Sequence, residues 1–148
     1  MDGVLGLATV LAGAVLGALL LAPQAMATSP DTLTVRSSAY GPMLFDGRGH
    51  ALYLFTRDRG GPRSRCYGAC ARAWPPLMAA GAPRAAGRAD AGLVGTTARR
   101  GGGRQVTYAG HPLYRYVGDR RPGQVTCQDV LEFGGTWLVV APGGDAIR

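Results

Sequence analysis

The side chains best suited to chemistry occur twice in this chain. Tyr53-x-Phe55-x-x-Asp58 recurs as Tyr114-x-Tyr116-x-x-Asp119. In a strand that ends in a turn, such a Tyr packs its ring inward while its hydroxyl seeks an acceptor. A carboxylate just past the strand end can take that hydroxyl, or cap amides of the next loop. Two copies could pair crosswise. The same groups could form a ligand or redox site with Asp as the proton partner of Tyr. Strand-end Asp and half-buried Tyr are ordinary packing devices, so a structural role is the expected one.

The remaining reactive residues are sparse. His50 and His111 each precede a motif Tyr, and with Cys66, Cys70 and Cys127 they could supply soft metal ligands. Cys66-x-x-x-Cys70 has no second short-spaced Cys/His pair to complete a zinc site. Ala71 stands where a c-type haem motif needs His. No metal site and no cofactor are expected. The only serines are Ser29, Ser37, Ser38 and Ser64, none of them in Gly-x-Ser-x-Gly. Glu132 is the only Glu, which leaves paired-carboxylate chemistry to Asp58 and Asp119. All 16 basic residues are Arg, which excludes a phosphate-loop lysine, a Schiff base and a Ser–Lys dyad. No catalytic residue is assigned, and the composition argues against an enzyme.

The elements that must position these groups are mainly strands. Residues 32–37 alternate in period two and open the domain as a strand. Residues 43–45 and 51–55 flank Asp46-Gly47-Arg48-Gly49 and predict a β-hairpin. Residues 66–74 predict a short helix, ended by Pro75-Pro76. Residues 79–92, rich in Ala, Gly and Arg, predict a mobile surface loop. Strands follow at 93–98, 104–108, 112–117 and 137–140, the last before Pro142.

Laid against itself at an offset of 61, the chain repeats. His50 meets His111, Leu52 meets Leu113, and Cys66 meets Cys127. At an offset of 63, Phe45 meets Tyr108 and Trp74 meets Trp137. Each copy is too small to bury its own hydrophobic face, so the two must share a core. The expectation is a small, pseudo-two-fold antiparallel β domain of two repeats, about 43–77 and 105–140.

From Val4 to Ala22 no residue is charged, and Ala25-Met26-Ala27 offers a signal-peptidase site. Residues 1–27 therefore read as a signal peptide, leaving 28–148 as one exported domain. The alternative is an uncleaved membrane anchor, since the apolar run would reach roughly 28 Å as a helix. All six Tyr, three Phe and two Trp follow residue 27, so the exported part can still bury a core. Net charge is +7. The aromatic-and-basic modules of nucleic-acid binders are missing, so the expected surface is solvated and basic. Such a surface suits anionic envelope polymers or an envelope protein, and no nucleic acid.

The paired motifs, together with Leu44-Phe45-Asp46, Cys66-Tyr67-Gly68-Ala69-Cys70, Trp74-Pro75-Pro76-Leu77 and Gly134-Gly135-Thr136-Trp137, resemble a bacterial secreted-repeat family. Its members are predicted lipoproteins with paired Tyr-x-aromatic-x-x-Asp motifs and no assigned function. The resemblance runs from about Ala39 to Gly144 and implies an exported, envelope-associated β domain. It departs from the family in having no Cys before Cys66 for a lipid to acylate, and in the extra Cys127. The resemblance implies a Cys66–Cys70 disulfide with Cys127 buried. Chain entropy favours Cys66–Cys127 instead, worth roughly 4 kcal/mol against about 2 for the local pair. The expected function is a non-enzymatic binding or structural role outside the cytoplasm. The alternative is a small redox or metal-carrying protein using Tyr, Cys and His.

Overall fold

A computed structural model describes residues 28–58 and 61–148. The expected signal peptide lies outside the described residues. Among the described residues, nine short strands form three three-stranded sheets. The first contains β1 (Thr32–Ser38), β2 (Gly41–Phe45) and β4 (Arg84–Ala86), in the order β2-β1-β4. The second contains β3 (Tyr53–Phe55), β8 (Val130–Glu132) and β9 (Gly135–Val139), in the order β3-β9-β8. The third contains β5 (Val94–Ala98), β6 (Arg104–Tyr108) and β7 (His111–Pro112), in sequence order. Every pairing is antiparallel except β1 with β4. The fold is mainly β, as expected.

The strand of the first motif and its partner are buried on both faces, and period-two alternation sorts their side chains into two cores. Tyr53, Phe55, Trp137 and Val139 enter an aromatic core with Trp74 and Tyr114. Leu52, Leu54, Leu138 and Val140 enter an aliphatic core with Leu33, Leu77, Val106 and Leu113.

Several local expectations are corrected by the packing. Residues 43–55 close the first step of the expected hairpin, with Asp46 N–H donating to the His50 carbonyl at 2.9 Å and Leu52 N–H to the Leu44 carbonyl at 3.2 Å, and zip no further. Asp46 Oδ1 accepts the amides of Arg48 and His50, both at 2.9 Å, and shapes the turn. Beyond one bridge between Phe45 and Ala51, however, β2 pairs with β1 and β3 with β9. The Leu44 N–H that a hairpin would use is taken by the Val140 carbonyl at 2.9 Å. Residues 112–117 form a strand only as far as Pro112, after which Tyr114 bridges Tyr53 and Pro76 singly. Their neighbour is Trp74-Pro75-Pro76, and prolines have no N–H to continue a ladder.

Residues 79–92 are more ordered in their bonding than a bare loop. They supply β4, and the buried Asp31 accepts the amides of Ala80 and Gly81 at 3.1 and 3.4 Å. Strand β8 follows a left-handed residue, Asp129 (φ 57°), a conformation the sequence did not signal. The helix α1 is shorter than expected, Ala69–Ala73. Gly68 precedes it at φ 58°, a value that favours glycine, and Pro75-Pro76 follow it.

Candidate functional site

The two motifs meet at the centre of the molecule. Strand β3 carries Tyr53 and Phe55, and Asp58 follows on a single 3₁₀ turn, Thr56–Asp58. Tyr53 and Tyr114 lie side by side and exchange both backbone hydrogen bonds at 2.9 Å. Their hydroxyls then cross over. Tyr53 donates to Asp119 Oδ2 at 2.6 Å, and Tyr114 donates to Asp58 Oδ2 at 2.6 Å. Each carboxylate's other oxygen caps the following loop. Asp58 Oδ1 accepts the Arg65 amide at 2.7 Å, and Asp119 Oδ1 accepts the Thr126 amide at 2.9 Å. All four motif side chains are buried.

The aromatic partners are exchanged in the same way. Phe55 pairs across the sheet with Trp137 of the second repeat and stacks on it at 4.1 Å. Tyr116 sits 4.6 Å from Trp74 of the first repeat. Trp74 and Trp137 stack on each other at 4.0 Å and 4°, in the middle. Each Trp also receives the edge of its own repeat's Tyr at 5.1 Å. Glu132 serves both indoles: its carboxylate accepts Trp74 Nε1 at 2.8 Å and its carbonyl accepts Trp137 Nε1 at 3.2 Å.

Electrostatics follows burial. Loss of water pushes both motif phenols far above their ordinary range, and the facing carboxylates push them further. Burial also raises the Asp58 carboxyl, against the lowering effect of the bonds from Tyr114 and Arg65. The protonated phenol is therefore the stable partner of each carboxylate.

A family model described as a secreted repeat of unknown function matches residues 34–78 and again residues 95–141, together more than half of the chain. The chain belongs to this family. Neither a curated protein nor a solved structure matches it. The two matched repeats are the two halves that exchange partners at the Tyr–Asp centre.

In this secreted repeat, Cys66 and Cys70 form a disulfide, with Cα atoms 5.3 Å apart across the start of α1. The competing Cys66–Cys127 bridge is not formed, because the local turn already brings Cys70 into range. Cys127 is a free, buried thiol, and burial pushes its pKa up. The weak metal candidates are separated in role. His50 Nδ1 stands 3.7 Å from Asp46 Oδ1, while His111 lies on β7. Among the described residues, no three His, Cys, Asp or Glu side chains gather as a metal set. Asp46, wholly buried, also meets Arg115 Nε of the second repeat at 2.7 Å, as an ion pair rather than an aligned hydrogen bond.

Sequence reasoning missed a second feature, an open cleft of about 940 Å³ between residues 61–67 and the β5–β6 hairpin. Six arginines line it: Arg57, Arg63, Arg65, Arg99, Arg100 and Arg104. Arg99 is its anchored floor. It donates to Ser64 Oγ at 2.9 Å, Gln105 Oε1 at 2.7 Å and the Cys66 carbonyl at 2.7 Å. Ser64 Oγ in turn stands 2.7 Å from the Tyr114 hydroxyl. The Tyr114–Asp58 pair is thus linked to the cleft through Ser64. The available signal was the clustering of Arg in 57–65 and 99–104, which the expected evenly solvated surface passed over.

Proposed function

We propose that this secreted repeat works on the extracytoplasmic face of the cell envelope as a non-enzymatic binding module. In this reading residues 1–27 direct export, residues 28–148 form the working domain, and the Tyr–Asp motifs lock its halves together. The observation that carries it is mutual satisfaction: both phenols and all four carboxylate oxygens of the motifs are hydrogen-bonded within the protein and buried. Groups so engaged are poor candidates for handling a substrate, since breaking them leaves buried polar atoms unpaired. Recognition then falls to the surface.

Asp58→Asn and Asp119→Asn test the lock. Each should lower stability by about 1–2 kcal/mol, read as a lower melting temperature, while the folded fraction keeps its ligand binding. Unchanged stability with lost binding would make the motif a ligand site. Recovery of the protein outside the cytoplasm with Thr28 as its first residue tests the export segment; an intact Met1 there identifies an anchor instead.

A second reading, a small redox or metal-carrying protein, draws on the stacked Trp74–Trp137 pair flanked by two Tyr–carboxylate pairs. Elemental analysis and a visible-range spectrum of the purified full chain separate the two readings. A stoichiometric metal or chromophore selects the second.

A further inference from the structure

We propose that the arginine cleft is a binding site for a linear phosphate-bearing polymer of the envelope. The proposal rests on the reading of the protein as a binding module and adds the place and chemistry of recognition. Six of the chain's 16 arginines line this one cleft. Among the described residues, none of the six is within ion-pair distance of a carboxylate; the only contacts of that kind are those of His50 and Arg115 with Asp46. Asp58, whose charge is felt by Arg65 and Arg99, offsets only part of the six positive charges. Like charges so crowded repel one another, so this arrangement lowers stability unless an anion enters.

The guanidiniums divide into two sets. Arg57, Arg99 and Arg104 are held by protein acceptors: the Phe133 carbonyl at 3.0 Å, the Ser64–Gln105–Cys66 cradle, and Thr96 Oγ1 at 2.7 Å. They give a fixed positive wall. Arg63, Arg65 and Arg100 are exposed, and their guanidiniums donate no hydrogen bond to a described residue, although that of Arg100 rests over the Tyr67 ring. Their N–H groups are free to grip.

The shape favours a polymer. An open cleft whose cations are spread between two chain segments suits several linked charges better than one small ion, since linked charges bind with a high effective concentration. Phosphate suits the donors. Each guanidinium offers up to five N–H groups in a rigid fork, and a phosphodiester presents its charged oxygens to such forks bidentately. The lining argues against reading bases. Its single aromatic, Tyr67, already has the Arg99 and Arg100 guanidiniums over its ring at 4.3 and 4.2 Å, so bases would have to compete with two cations for one ring.

The test is calorimetric titration of the full chain with inorganic polyphosphate at two salt concentrations. Affinity should fall by more than about tenfold from roughly 50 to roughly 200 mM salt. Orthophosphate at equal phosphate concentration should bind at least about tenfold more weakly. Arg63→Glu with Arg100→Glu should cost more than about tenfold in affinity at unchanged melting temperature. Arg120→Glu with Arg121→Glu, the same charge change at exposed sites outside the cleft, should cost less than about threefold. Should the cleft reversals disturb folding, Arg63→Gln with Arg100→Gln carries the same ranking.

Absent binding, or equal losses from both pairs of reversals, overturns the cleft assignment and leaves the Tyr–Asp lock to its own stability test. Equal affinity for polyglutamate overturns the phosphate assignment while the binding-module reading stands. A single-stranded DNA of equal charge that binds about tenfold more tightly than polyphosphate would point to base stacking and overturn the proposal.

Discussion

At the scale of single residues, the two buried phenols carry the clearest pH signature. Burial and the facing carboxylates raise Tyr53 and Tyr114 far above the ordinary value of 10.0. A raised folded-state pKa contributes stability that is complete below the unfolded value and is lost as pH rises past it. Stability should therefore decline steeply above about pH 10. In a spectrophotometric titration, the tyrosinate signal of these two should appear only together with unfolding. Two early-titrating tyrosines in excess of the exposed ones would contradict the buried pairs. Asp58, also raised, acts in the acid range: its contribution is complete below its ordinary 3.8 and is lost as pH rises through its higher folded value. A partnership of Tyr hydroxyl with carboxylate was foreseeable from the spacing of Tyr and Asp, because a strand end puts both near a turn. The partner oxygen on the opposite repeat was a matter of tertiary contact.

At the scale of elements, the glycine pair 134–135 and the disulfide are the points most open to test. A Cβ on Gly135 would stand 2.6 Å from Phe55 Cε2, so Gly135→Ala must push Phe55 off Trp137. The expected cost is about 1–3 kcal/mol, with a weakened near-ultraviolet dichroism signal from the indole stack. An unchanged spectrum would mean that Phe55 has room to yield. Replacing Cys66 and Cys70 by Ser should cost about 2 kcal/mol in loop entropy, and a little more for a buried hydroxyl at Cys66. The domain should stay folded, since α1 also packs through Ala71 and Ala73 on the aromatic core. In the native protein Cys127 should resist a thiol reagent at neutral pH and react once denatured, because it is buried with a raised pKa.

At the scale of the whole molecule, the repeats are interlocked rather than stacked. The Tyr segment of each repeat runs beside the Trp segment of the other: Phe55 opposite Trp137, and Val117 N–H donating to the Ala73 carbonyl at 3.1 Å. Neither half owns a complete core. Residues 28–94 and 95–148, produced separately, should each lack a cooperative melt by circular dichroism, and mixing them should restore one. A cooperative transition in either fragment alone would show that a single repeat can close on itself.

The sequence by itself determined the strand-forming segments of β1, β2, β3, β5, β6 and β9, the duplication, the Asp46 turn and the stop at Pro75-Pro76, and missed β4 and β8. These follow from period-two alternation, side-chain spacing and backbone chemistry within a few residues. Tertiary structure alone decided which strands meet. Alternation says which face is buried and is silent on the neighbour, so β3 could equally have zipped onto residues 43–45. The Val140 carbonyl took the donor that the hairpin needed, and the proline pair held residues 112–117 to isolated bridges. The arginine cleft lay beyond reading for the same reason. Its two walls are distant in the chain, and tertiary contacts such as the bonds from Arg99 to Ser64 and the Cys66 carbonyl bring the cations to one place.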